Sequence, residues 1–334
     1  MSQAKQDIPG RKPDAEGDHD DGAIGTLAQG GIGPFVTWTA HRLAEDRALL
    51  RTSRRHRKGL APLPATSPAV HPHSFDPRLF DPRLFDPHRA ERIAGWRWLR
   101  IWAPSRLAWW IAVLFMIGAA HFALASAVAS AAAWPQSHLA VVLSPDGIAW
   151  TYFLGSLFFT TAAYLQWLEA VNGALNRVGP DGRRGPWRYW GWAPRSLAYW
   201  AGAIQFAGTL LFNMNTGDAL ILQLAAQKAD WTAQDLLVWV PNMAGSVCFL
   251  TASYCAVMED SHRLWSFRPR RLAWWIVMIN LAGSLLFQAS ALASFALPDA
   301  QTLALEAANI TTLGGALCFF FAAYLLIPEL FEKE

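Results

Sequence analysis

Cysteine is scarce in this chain. There are three among 334 residues, Cys248, Cys255 and Cys318, each inside an apolar run. Cys248 and Cys255 would sit about 10 Å apart along one helix, too far to bridge, and no zinc or redox spacing is present. A disulfide framework and a thiolate metal site are therefore excluded, and the cysteines read as small buried apolar residues. Charge is scarce too. Charged residues make up 16% and hydrophobic residues 53%, against roughly 25% charged in soluble domains. The net charge of +3 decides little, but its distribution is informative: residues 1–106 hold most of the basic residues, and long stretches beyond Leu107 hold none. No apolar core lies within the first 35 residues, so no cleavable signal peptide is expected and the first spanning helix would act as its own insertion signal. Nucleotide-binding loops, nucleophile elbows, HExxH and paired intramembrane carboxylates are also lacking. No catalytic, cofactor-binding or metal-ligating residues are expected, and the chain reads as a non-enzyme.

The apolar runs supply what is present. Six segments, at about 107–132, 148–169, 197–215, 238–258, 272–296 and 309–328, reach or approach the roughly 20 residues that cross a bilayer core of about 30 Å. In lipid the backbone must satisfy its own hydrogen bonds, so these are expected to be helices. The connection between segments two and three carries Arg177, Arg183, Arg184, Arg188 and Arg195; that between four and five carries Arg263, Arg268, Arg270 and Arg271. The alternate connections hold only Lys228. Basic loops stay inside, which predicts six crossings of the cell (inner) membrane with both termini cytoplasmic. Tryptophans such as Trp109, Trp110, Trp200, Trp274 and Trp275 gather at the cytoplasmic ends and Trp134, Trp150, Trp231 and Trp239 at the outer ends, an anchoring belt.

The predicted fold is an all-α membrane protein: a cytoplasmic arm, 1–93, and a six-helix transmembrane domain, 94–334. The arm reads as largely disordered, with a short helix over 36–58 that ends in a basic cluster, Arg51, Arg54, Arg55, Arg57 and Lys58. From Phe75 to His88 a five-residue unit repeats as FDPRL-FDPRL-FDPH, and its prolines forbid continuous helix. The bilayer is the expected partner, with anionic lipid headgroups on the cluster at 51–58, worth about 1 kcal/mol per basic residue. Nucleic acid is not expected, and no protein partner is indicated.

The six segments align as three copies of one hairpin, at about 104–169, 194–259 and 269–329. PSRLAWWIAVLFMIGAAHF, PRSLAYWAGAIQFAGTLLF and PRRLAWWIVMINLAGSLLF open the copies; GSLFFTTAAYLQWLE, GSVCFLTASYCAVME and GALCFFFAAYLLIPE close them. Gly118, Gly208 and Gly283 fall at a depth similar to that of Gly155, Gly245 and Gly315, which predicts that each hairpin closes on paired glycines. Tyr164, Tyr254 and Tyr324 suit an interfacial hydroxyl. Glu169, Glu259 and Glu329 end the even helices, and Arg106, Arg195 and Arg271 open the odd ones. An exposed Glu–Arg clasp within each copy, worth roughly 0–1 kcal/mol, is one expectation; solvated snorkelling charges are the other. With its Trp-rich start (Trp274, Trp275), the step from Gly283 to Phe287 and the Gly-rich helix from Gly315 to Tyr324, the two-helix unit resembles the YrhK-like domain, a short bacterial membrane hairpin of unassigned function. The chain looks like an actinobacterial-type multipass membrane protein. The resemblance implies no catalytic residues.

Departures from the repeat are few. His121 stands where the other copies have Leu211 and Leu286; Gln205 and Asn280 stand where the first copy has Phe115. With Asn213 and Gln288 these residues are the candidates for a polar path, since intramembrane polar groups are costly. Hydrogen bonding between helices explains them equally simply and is favoured here. The sequence therefore favours a non-enzymatic membrane scaffold or stress-related component. A small-solute transporter or channel along a pseudo-threefold axis is the alternative, and a membrane sensor with a cytoplasmic arm a further one.

Overall fold

The protein is described here from a computed structural model that covers residues 26–42, 48–60, 63–65, 70–71, 74–75, 98–131, 142–175, 186–225, 230–298 and 302–331. Of the disorder expected over residues 1–35, the first 25 residues lie outside the described residues, as do the FDPRL units beyond Phe75, whereas Thr26–Ile32 is a strand paired with its neighbour rather than disordered.

Residues 36–42 and 48–52 are not the expected helix. Four antiparallel strands, β1 (Thr26–Ile32), β2 (Phe35–Arg42), β3 (Ala48–Thr52) and β4 (Leu63–Ala65), pair in the order β1-β2-β3-β4. Val36, Thr37, Trp38 and Thr39 are β-branched or aromatic, types that fit a pleated half-buried surface, and this outweighs the helical spacing of apolar residues around them. A second, two-stranded ladder joins β5 (Val70–His71) to β6 (Ser74–Phe75). Helix is confined to one short turn, α1 (Ser53–Arg57), whose N-cap Thr52 accepts a hydrogen bond from the Arg55 amide through its hydroxyl, at 3.3 Å. The sheet is docked rather than free: the Val36 amide donates to the Arg195 carbonyl at 3.0 Å, and Ile32 and Phe35 pack on Leu197, Ala201 and Cys255.

Six long helices follow: α2 (Leu107–Ala131), α3 (Pro145–Leu175), α4 (Leu197–Leu224), α5 (Trp231–Ser261), α6 (Leu272–Ala293) and α7 (Leu305–Glu329). Five of them, all but α4, are long and apolar enough to cross a membrane; α4 is diluted by Gln205, Asn213, Asn215 and Asp218. In α5 a π-turn at Asp235–Trp239 precedes Pro241, whose missing amide disrupts regular pairing one turn back. Each helix packs on its neighbours in sequence, and α7 returns to pack on α2, so the six close into a ring. At its proximal end, where α2, α4 and α6 begin, indoles lock the entry of each: Trp110, Trp200 and Trp275 donate to the carbonyls of Pro104, Pro194 and Pro269 at 2.9, 3.1 and 2.8 Å. These tryptophans, expected as interfacial anchors, are thus also hydrogen-bonded staples.

Close approach of backbones occurs at the glycines. A Cβ on Gly118 would lie 2.9 Å from the Gly155 carbonyl oxygen, one on Gly208 3.1 Å from that of Gly245, and one on Gly315 3.0 Å from that of Gly283. Small residues at such crossings let dispersion contacts accumulate between backbones. Gly245→Val, which would meet the Phe212 ring at 2.7 Å, should therefore lower stability by about 1–3 kcal/mol through overpacking. Gly217→Ala meets Phe153 at an ordinary 3.4 Å and should leave thermal unfolding in detergent unchanged or slightly raised.

Candidate functional site

The ends of α3, α5 and α7 bring three carboxylates together, and α1 sits on them. Arg54 grips Glu329 with both nitrogens of its fork, Nε to Oε1 at 2.8 Å and Nη2 to Oε2 at 3.1 Å. Arg57 bridges two helices, donating from Nη1 to Glu169 and from Nη2 to Glu259, each at 2.9 Å. The Lys58 ammonium also bonds Glu329, and the Ser53 hydroxyl donates to Glu259 at 2.6 Å. Glu259 and Glu329 are each only 2% exposed and Glu169 7%. Three negative and three positive charges thus cancel within one buried cluster. Bidentate geometry is what the planar guanidinium supplies and an ammonium does not.

Several expectations are corrected here. The glutamates are engaged by the arm, not by the arginines that open the odd helices. Arg106 donates to the Leu330 carbonyl at 2.6 Å, Arg195 is exposed, and Arg271 caps the start of α6. The reason is direction: the carboxylates turn inward to the ring, whereas those arginines stand at its rim. Nor is the basic cluster simply a surface for headgroups, because Arg54, Arg57 and Lys58 are consumed by carboxylates. The sequence signal that could have suggested this is numerical, three glutamates at one repeat position and a cluster of cations upstream. Gly173 is a further residue that pattern reading passed over: a Cβ there would lie 2.9 Å from Arg57 Cβ, so α1 seats only on a glycine.

Burial works against the Arg54 charge, but the Glu329 carboxylate beside it holds its pKa above the ordinary value. For Lys58 burial, reinforced by Arg54, outweighs Glu329 and pushes the pKa down to about 8. The arm has a second polar contact at the end of α5. His262, in left-handed backbone at φ 55°, places Nδ1 2.9 Å from the hydroxyl of Thr37. Burial pushes its pKa down to about 4, with Arg271 and Arg268 acting in the same direction and Asp260 and Glu259 opposing.

Behind the charged cluster lies a cavity of about 100 Å³, walled by Gln166, Gln205 and Asn280, by Ile111 and Ile276, and by phenylalanines. It has room for several waters, at about 10–15 Å³ each, and not for a ligand needing some 300 Å³. Two of the expected path residues, Gln205 and Asn280, share this cavity; His121, Asn213 and Gln288 do not line it. Each amide of the wall is also a helix-to-helix bond: Gln166 donates to Gln205 at 3.2 Å, and Asn280 to Ser253 at 2.7 Å. His121 bonds its own helix at the Ile117 carbonyl, 2.8 Å away, and Gln288 accepts from Ser246 at 3.0 Å. The hydroxyl of Tyr324 reaches the Trp98 carbonyl at 3.5 Å, whereas Tyr164 packs on Phe206 and Tyr254 is exposed.

The far side of the cavity is sealed by two phenylalanine triangles. Phe159, Phe249 and Phe319 have ring centroids 6.4, 6.0 and 6.0 Å apart. Phe122, Phe212 and Phe287 follow at 6.5, 5.8 and 5.9 Å. All six are buried in one cluster, with edge-to-face and tilted contacts that add to simple burial.

Removing one charge from a buried set leaves its partners uncompensated. Glu329→Gln should therefore cost about 3–5 kcal/mol in detergent unfolding, well beyond the 0–1 kcal/mol of an exposed pair. Replacing Arg54, Lys58 and Glu329 together by Met, Met and Leu should recover most of that loss. His262 has a folded pKa below its unfolded value of 6.5, so the unfolded chain binds more protons between pH 6.5 and 4. Stability should fall as pH drops through that window, and His262→Gln should flatten this part of the curve. No family model, curated protein or solved structure matches the chain.

Proposed function

We propose that this chain is a non-enzymatic, six-span membrane protein, three hairpins about one axis, and that the axis is a conduit for a small polar solute, held shut on both sides of a vestibule. The single observation behind this reading is the shared cavity of Gln166, Gln205 and Asn280: three half-buried amides around one space are costly within a membrane and favour a path over packing alone. In this reading α4 crosses too, since its 28 residues extend about 42 Å. The arginine-rich loops support a cytoplasmic proximal end and cytoplasmic termini, and the likeness to the YrhK-like hairpin is compatible with a repeat of that unit. The cavity's size limits the solute to a few water volumes. A membrane scaffold is the second reading, and the phenylalanine triangles favour it, because they leave the outward half of the axis dry.

Shrink–swell measurements on proteoliposomes separate the two. Phe249→Ala and Phe212→Ala take one ring from each triangle, and Arg57→Gln loosens the arm on the other side of the cavity. Together they should raise water or urea permeation several-fold above protein-free vesicles, with the unaltered protein close to the protein-free rate. Rates equal to protein-free vesicles for both proteins would leave the scaffold.

A further inference from the structure

We infer that Ser53–Lys58 is an autoinhibitory plug of the vestibule, latched by charge, an inference that rests on the conduit reading. Arg54, Arg57 and Lys58 themselves line the axial cavity, so the segment closes the proximal side of the same space that the phenylalanines close on the other. It does so by holding all three helix ends at once: Glu169 and Glu259 through the two nitrogens of Arg57, and Glu329 through Arg54 and Lys58. A helix of five residues cannot hold itself together in water. The seat therefore depends on these pairs, on Ser53 and on the close approach at Gly173. Charges taken from water at a cost of several kcal/mol each are only partly repaid by their attraction. The latch is consequently strong in its geometry and modest in its net energy, which is what a releasable closure requires.

The plug also has a built-in trigger position. Ser53 touches the Glu259 carboxylate at 2.6 Å, so a negative charge at residue 53 would repel the ring without removing any cation. With the plug released, the carboxylates and the amides behind them open to the proximal side.

The test reads access, not transport, and so stands apart from vesicle permeation. In a full-length chain with Cys248, Cys255 and Cys318 replaced by Ala, a reporter is placed at the cavity wall as Ala201→Cys and, exposed at the start of α5 away from the plug, as Thr232→Cys. Reaction with a charged methanethiosulfonate is followed in lipid nanodiscs. The wall cysteine should react slowly with the native arm, and at least about tenfold faster with Arg57→Gln or with Ser53→Asp. Ser53→Ala, which loses one hydrogen bond and adds no charge, should stay slow, and Thr232→Cys should react equally in all four backgrounds. Where a variant lowers the folded circular dichroism signal, the other of the pair decides. Equal wall reactivity in the native-arm and Arg57→Gln or Ser53→Asp chains, whether fast or slow, would overturn the plug. Slow reaction with the native arm and fast reaction in these variants, beside permeation that stays at the protein-free rate when Arg57→Gln is combined with Phe249→Ala and Phe212→Ala, would retain the plug and remove the conduit.

Discussion

Three buried carboxylates at the ends of three helices are the constraint on which the rest of this structure depends. A ring of Glu169, Glu259 and Glu329 could not persist alone, because ionised carboxylates in a low-dielectric setting each forfeit several kcal/mol of hydration. Cations must come from somewhere. The helices carry arginines at their own starts, but these stand at the rim, and the axis is reached instead by a segment more than a hundred residues upstream of the first glutamate. The sheet β1–β4 acquires its purpose from this. By fixing β2 to the Arg195 carbonyl and to the end of α5, and leading from β3 straight into α1 through the Thr52 cap, it delivers Arg54, Arg57 and Lys58 in register with their three partners.

The remainder of the axis is governed by a different force. The glycine crossings draw the helices of each pair together, and that proximity pushes the larger side chains inward, where Phe122, Phe212 and Phe287 meet Phe159, Phe249 and Phe319. The same residues serve both ends: the Phe212 and Phe287 rings pack directly over Gly245 and Gly315. The axis thus changes character along its length, from compensated charge, through a small polar cavity, to a dry aromatic seal. The carboxylates and one phenylalanine triangle come from α3, α5 and α7, the other triangle from α2, α4 and α6.

How much of this could be read beforehand follows from the range of the interactions. Helix positions and the close approach at the glycines are set by residues near one another in sequence, and the pattern carries them; for Gln205 and Asn280 it offered a polar path and helix-to-helix bonding alike and favoured the bonding. Strands β2 and β3 were hidden because their apolar spacing also fits a helix, and only the run Val36–Thr39 argued otherwise. The Arg57 bridge was legible only as a matching number of glutamates and upstream cations, since nothing local to HRK or to LQWLE marks them as partners. The phenylalanine triangles were present as aligned columns, yet an aromatic in a membrane helix is too ordinary to single out. His262 gave no signal, because its role arises from left-handed backbone and a threonine on another element.

The choice of ionic over apolar closure carries its own argument. An apolar plug of similar volume would hold the three helix ends at least as well, since buried ion pairs are often neutral or unfavourable relative to hydrophobic replacement. What charge adds is directional dependence. A guanidinium that spans two carboxylates discriminates angle as well as distance, so the plug seats in one register or not at all, and a single added or removed charge changes its occupancy by far more than a lost methyl group would. Lys58, pushed down to about 8 by burial, is the weakest member of the set, while Arg54 and Arg57 remain charged at any physiological pH. The closure is thus built from two permanent contacts and one yielding one, at the place where the polar vestibule meets the arm.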